Sequence, residues 1–355
     1  MSKSRMVRAL VRHASSFFRH SDLVISHFKS MTFPFNFFLA AFAAAFLTTL
    51  LTLPYWREWC LRVNLVDDPG RRKIHDTPVP LAGGFAVLTG ILLPLMMGGL
   101  LAASSVEDPR VLPPIAYGFS HRALELAVIA FGAIAITLLG WLDDKHELKP
   151  LLKFAGQFLI ALLVAAACKR ITLFVHSEVF SYAITILWLL TVINAFNFMD
   201  NMNGLCAGLG AIGALLFAVI AARNGEYLVA LTGFLMCGAL LGFLPWNFPN
   251  ARAFLGDAGS HLVGYLLAVM AILPHFYTKH NPRPLAVLSP LLVLALPLAD
   301  LVWVVILRTR NRKPFWIGDT NHLSHRLVRT GLSRTRTVLL IWLAAAAIGS
   351  IACWL

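Results

Sequence analysis

Ten stretches of this chain are apolar for long enough to cross the hydrocarbon core of a bilayer, which is about 30 Å thick and takes roughly 17–25 helical residues. They lie near 33–55, 81–104, 123–142, 151–168, 180–199, 205–222, 227–245, 259–275, 284–307 and 338–355. Hydrophobic residues make up 58% of the chain and charged residues 13%, which leaves too little polar side chain to cover a soluble protein of this size. A soluble fold would have to hide all of these segments in one core. The expected fold is therefore an all-α polytopic integral membrane protein with ten transmembrane helices.

The formal net charge of +13 would suggest nucleic acid in a soluble protein, but the bases are placed as a membrane protein places them. Loops 56–80, 143–153, 200–204, 246–258 and 308–336 carry 17 Lys and Arg, whereas the alternate loops 105–122, 169–179, 223–226 and 276–283 carry 7. The first set is expected in the cytoplasm, and no nucleic-acid partner is implied. Residues 1–30 form a basic tail (Lys3, Arg5, Arg8, Arg12, Arg19, Lys29) that parity places outside, against the same rule. The remainder, 31–355, reads as one membrane domain without internal repeat or composition break. The run from Phe33 to Leu53 is too long for a signal-peptide core and has no small-residue cleavage site, so it is expected to stay as the first helix. Cys60, Cys168, Cys206, Cys237 and Cys353 lack CxxC spacing, which argues against a disulfide framework or a zinc site.

The polar motifs fall on the basic set of loops. Asp143 and Asp144 end the third apolar stretch, where paired carboxylates are costly. Lys153 and Gln157, four residues apart on the next helix, present a cation and an amide to the same loop. Asn194, Asn197 and Asp200 make a polar stripe on a lipid-type helix, continued by Asn201, Asn203 and Gly204; such a stripe lines a wet cavity or joins helices by hydrogen bonds. Asp257 sits in a glycine turn before the eighth helix, with Ser260 as the expected N-cap and free amides offered to phosphate. A carboxylate beside such amides suits Mg²⁺, which prefers one or two carboxylates plus phosphates and water. Arg72, Lys73 and His75 in the first loop, and His322, His325, Arg326 and Arg329 in the last, are candidate anion-binding strips. Alone, each basic strip is equally a surface that faces anionic lipid. Together, carboxylates for a divalent ion and bases for phosphates on one membrane face describe phosphoryl transfer at a bilayer surface.

These segments resemble the polyprenyl-phosphate N-acetylhexosamine-1-phosphate transferases, the glycosyltransferase family 4 that also contains phospho-N-acetylmuramoyl-pentapeptide transferase. The resemblance is carried by DDPGRRKIHDTPVPLAGG (67–84), GWLDDKHELKPLLKFAGQ (140–157), NAFNFMDNMNGLCAG (194–208), FLPWNFPNARAFLGDAGSHLVG (243–264), PLADLVWVVILR (297–308) and DTNHLSHRLVRTGLS (319–333). The first and last motifs are more similar to the branch that uses simple UDP-N-acetylhexosamines. The resemblance implies transfer of an N-acetylhexosamine-1-phosphate from a UDP-sugar to a polyprenyl phosphate, with release of UMP and a need for Mg²⁺ or Mn²⁺. It also implies a multi-pass protein of the plasma (inner) membrane with a cytoplasmic site.

By the same resemblance Asp257 matches the metal ligand, and Asp143 and Asp144 the essential acidic pair. Asn197, Asp200 and Asn247 match further site positions, and His325 with Arg326 the substrate-binding basic motif. Asp143, Asp144 and Asp200 are the catalytic candidates. Arg72, Lys73, His75, Lys153, Asn194, Asn197, Asn203, Asn247, His322, His325 and Arg326 are the substrate-binding ones. Asn203 stands where the family commonly has Asp, and Ser324 where it has the first of two histidines. The acceptor phosphate is largely dianionic near pH 7, since its second pKa is about 6, so it is a competent nucleophile once repulsion from the diphosphate is neutralised. Direct attack and a covalent aspartyl intermediate both stay open here. So do the pentapeptide branch, a non-catalytic polyprenyl-phosphate binder or transporter, and the oligomeric state, a homodimer included.

Overall fold

The computed structural model describes residues 34–67, 78–104, 122–168, 170–173, 175–274, 284–314 and 320–355. The basic tail and the candidates Arg72, Lys73 and His75 lie outside the described residues. The helices are α1 (Phe35–Arg62), α2 (Gly83–Ser104), α3 (Ala123–His146), α4 (Pro150–Ala167), α5 (Glu178–Met199), α6 (Leu205–Arg223), α7 (Tyr227–Asn247), α8 (Gly256–Met270), α9 (Ser289–Val293), α10 (Ala295–Arg310), α11 (Leu323–Arg329) and α12 (Arg334–Ile351). Their ends carry the expected stop and start signals. Pro150 opens α4, Glu147 closes α3 in the left-handed region, and Ser177 and Ser333 cap α5 and α12 through their hydroxyls.

The protein is a helical polytopic membrane protein. Among the described residues, eight helices (α1 to α7 and α12) are long and apolar enough to cross a membrane. Two of the ten expected spans take another form. The stretch 284–307 is broken at Leu294 into α9 and α10, bent by 71°. Pro297, in the first turn of α10, has no N–H to continue the ladder from α9. The stretch 259–275 is α8, which starts three residues early and has only 15 residues, a rise of about 22 Å. Thirteen of those residues are buried, and α8 packs against α2, α3, α5 and α6. A helix sheathed in protein does not need the length that lipid demands.

Gly140 lets α3 touch the head of α8, since a Cβ there would lie 2.4 Å from the Asp257 carbonyl oxygen. Two short antiparallel strands, β1 (Val66–Asp67) and β2 (Val79–Pro80), pair with Asp67 opposite Val79. β2 and the start of α2 then bond to the loop before α8, through Phe254 N–H to Pro80 O, Gly83 N–H to Phe254 O and Gly84 N–H to Leu255 O. These contacts gather the motif-bearing loops at one end of the bundle. At the other end Arg122, before α3, stands 3.8 Å from Glu226, before α7.

Candidate active site

The head of α8 organises the polar end of the bundle. Gly256 takes a φ of +70°, which a side chain resists, and a Cβ there would press within 2.7 Å of Asp144 Oδ2. Helix α8 therefore begins at Gly256 rather than at the expected cap, and Ser260 is a fully buried interior residue. Its amides are not free for phosphate either. The Asp144 carboxylate accepts the N–H of Asp257 at 2.8 Å and of Ala258 at 3.0 Å. Asp144 caps α8 from a neighbouring helix, where a negative charge meets the positive end of the helix dipole.

Asp257 is held from two sides. Its Oδ2 lies 2.6 Å from Lys153 Nζ and its Oδ1 accepts from Asn197 Nδ2 at 2.7 Å. Lys153 also pairs with Asp143 Oδ2 at 2.6 Å, while Asp143 Oδ1 accepts the Leu148 amide at 2.9 Å. One turn deeper, Gln157 and His261 repeat the contact between α4 and α8. Asn194 Nδ2 donates to Leu190 O and to Gln157 Oε1, both at 2.8 Å. That fixes the Gln157 amide, whose Nε2 faces His261 Nε2 at 3.4 Å. Asn194 thus braces the floor of the site rather than lining it.

Above this floor opens a cavity of about 660 Å³. Four carboxylates line it (Asp67, Asp144, Asp200, Asp257), along with Asn197, Asn201, Asn203, Asn247, Phe248 and Arg334. Asp200 closes α5. Burial, then the charges of Asp257, Asp144 and Asp67, push its carboxyl up to about 8. Asn247 is buried, accepting the Gly204 amide at 2.6 Å and donating to Ala253 O at 3.0 Å, so it ties two loops together. Asn203 donates to Pro249 O at 3.0 Å.

The basic motif of the last loop sits beside the cavity and not in its wall. His322 is buried ahead of α11, with Nδ1 2.7 Å from Asp300 Oδ2, and Asp300 Oδ1 accepts the Leu323 amide at 2.6 Å. The Arg326 guanidinium stacks over Trp303 at 4.9 Å. His325 is held below its usual value by burial, then by His322, Arg329 and Arg334. The expected single anion-binding face is therefore divided. Ser324, where the resemblance implies a histidine, donates to Asn201 Oδ1 at 2.6 Å and docks α11 onto the cavity rim.

The donor set suits a hard divalent cation. The carboxylates of Asp67, Asp144, Asp200 and Asp257 all line the cavity and offer hard oxygen donors. Among the described residues no group of three or more His, Cys, Asp or Glu is arranged to hold a metal by protein alone.

Residues 126–275, which hold Asp143, Asp144, Asp200 and Asp257, match the family model for glycosyl transferase family 4. A Mycobacterium tuberculosis (strain H37Rv) decaprenyl-phosphate N-acetylglucosaminephosphotransferase is 34% identical over 340 residues, covering 88% of this chain and 81% of that protein. The chain belongs to glycosyl transferase family 4. A Bacillus subtilis (strain 168) relative, named probable undecaprenyl-phosphate N-acetylglucosaminyl 1-phosphate transferase, is 30% identical over 313 residues, or 86% of this chain and 81% of its own. The undecaprenyl-phosphate alpha-N-acetylglucosaminyl 1-phosphate transferase of Escherichia coli K12 is 28% identical over 319 residues, or 86% and 80%. Within this family 4 member, three polar residues at or beside the cavity escaped the motif reading. Asp67 and Asp300 lie inside quoted motifs and stand out as acids near or within apolar helices, whereas Arg334 follows the last motif with no local signal.

Proposed function

We propose that the protein transfers N-acetylglucosamine-1-phosphate from UDP-N-acetylglucosamine to a polyprenyl phosphate at the cytoplasmic face of the plasma membrane, releasing UMP. The observation that carries this reading is the cavity at one end of the bundle, where four carboxylates, a row of asparagines and an aromatic ring face one volume. The names of the relatives support the N-acetylglucosaminyl donor and the polyprenyl acceptor. The charge asymmetry of the loops supports the cytoplasmic side. A transporter would want its charges near the bilayer midplane, whereas these gather at one end.

The acceptor phosphate is mostly dianionic at neutral pH and needs no strong base. The chain's task is to bring it to the donor diphosphate and hold the surrounding charges still. Asp257 is the proposed ligand for Mg²⁺ (or Mn²⁺), with Asp144 and Asp200 as neighbouring oxygens on the same wall. When bound, the cation offsets phosphate charge in the transition state and leaves the oxygens better aligned. Lys153 fixes Asp257 against Asp143, and Asn197 fixes its other oxygen, so that the carboxylate does not swing. Asp144 holds the first turn of α8 in place beneath it. In this reading Asp143 and Asp144 position the site. Purified protein in detergent, given undecaprenyl phosphate and a panel of UDP-sugars, should yield one lipid product of the mass of a diphosphate-linked N-acetylhexosamine, together with UMP. Absence of product with every sugar would overturn the reading.

A further inference from the structure

The cavity is one-sided in charge. Among its described lining residues Arg334 is the single cation, against four carboxylates. It is exposed and forms no salt bridge among the described residues. Its place on α12 is set by two turns of packing. Val338, four residues on, is buried on the cavity wall. Trp342, four further, packs on Phe248 with ring centroids 5.0 Å apart. Residues spaced by four share a helix face, so Arg334 stands on the face of α12 that carries Val338 and Trp342 and lines the cavity at the start of that helix. The Ser333 hydroxyl accepts the Arg336 amide at 3.3 Å, and the guanidinium adds a charged donor at the same helix start.

A guanidinium fork recognises two oxygens of one anionic group. The same cavity offers aromatic rings, Phe248 and Phe254, for a planar base. We infer that Arg334 contacts the phosphate next to the nucleoside of the sugar-nucleotide donor, and keeps that contact in the nucleoside monophosphate product. This deepens the proposed function and rests on it. The donor then lies with its nucleotide toward α12 and its sugar-phosphate toward Asp257, which leaves the carboxylate wall to the reacting group.

The test compares purified wild type with Arg334→Gln, Arg334→Lys and, as a neighbour off the cavity, Arg336→Gln. UMP affinity is measured by calorimetry, and KM is measured separately for UDP-N-acetylglucosamine and for undecaprenyl phosphate. Arg334→Gln should weaken UMP binding and raise the donor KM by about tenfold, as expected for loss of one charge-assisted contact. The acceptor KM should hold, Arg334→Lys should fall between, and Arg336→Gln should match wild type. Unchanged UMP affinity in Arg334→Gln, a shift confined to the acceptor KM, an equal loss in Arg336→Gln, or wild type that binds no UMP would each overturn the assignment. Wild type that binds UMP through Arg334 yet releases none from any UDP-sugar would instead sink the transferase reading alone.

Discussion

Replacing Asp144 by Asn tests whether this carboxylate works by holding α8. The substitution keeps the shape and removes the charge. In the native structure Asp144 accepts two backbone amides, at 2.8 Å and 3.0 Å, each a charge-assisted bond worth about 1.5–3 kcal/mol. An Asn can offer its carbonyl to one of them, a neutral bond of about 1 kcal/mol, and must turn its NH₂ toward the other donor. The net loss is about 3 kcal/mol, or on the order of 5 °C in melting temperature for a chain of this size. Asp144→Asn should therefore melt earlier in detergent with no substrate or metal present, and the amides of Asp257 and Ala258 should exchange with deuterium faster. Turnover should fall as well, because Asp257 sits on the loosened turn. A variant that lost turnover while keeping its melting temperature and its amide protection would refute the positioning role and return Asp144 to direct chemistry.

Chelation by EDTA should abolish UMP release, and Asp257→Asn should slow it by about 10²-fold or more; turnover undiminished in EDTA would remove the metal from the reaction. Because burial, then neighbouring carboxylates, raise Asp200 to about 8, its carboxyl should hold a proton at pH 7 before a cation binds. Mg²⁺ binding should then release part of a proton, seen by calorimetry in two buffers, and should tighten as pH rises toward 8; affinity flat from pH 6 to 8 would contradict it. On a cysteine-free background, His146→Cys should react with an impermeant label only from the cytoplasmic side and Asn224→Cys only from outside; a shared side would break the proposed topology. Asn203→Asp should raise the donor KM severalfold, because Asp cannot donate to Pro249 O and would face that carbonyl; an unchanged KM would show the turn tolerates the loss.

Much of the site is legible because polar residues are conspicuous in an apolar chain. Asp143, Asp144, Lys153, Asn197, Asp200 and Asp257 all read as purposeful, and the structure brings them into one hydrogen-bonded group or one cavity wall. What escapes is geometry that hydropathy does not encode. A hydropathy window starts α8 where charge ends, whereas Gly256 starts it earlier and turns the supposed cap Ser260 inward. The break at Leu294 is invisible in an apolar run, although Pro297 marks it. That break aims α10 so that Asp300 meets His322, which no spacing along the chain foretells. Arg334 joins the cavity only through the register of Val338 and Trp342 on their neighbours.

The buried helix α8 also bears on how the protein is made. It is short, it carries Asp257, Ser260 and His261, and little of it touches the outside of the bundle. Such a segment partitions poorly into lipid by itself. The four helices that pack on it, α2, α3, α5 and α6, all precede it in the chain. The slot for α8 is therefore already synthesised when it emerges from the ribosome, and it can leave the translocon sideways into protein instead of into the bilayer. An early defect in those helices would strand α8 outside the membrane, so damage to the scaffold would first be seen as failed insertion of the catalytic turn.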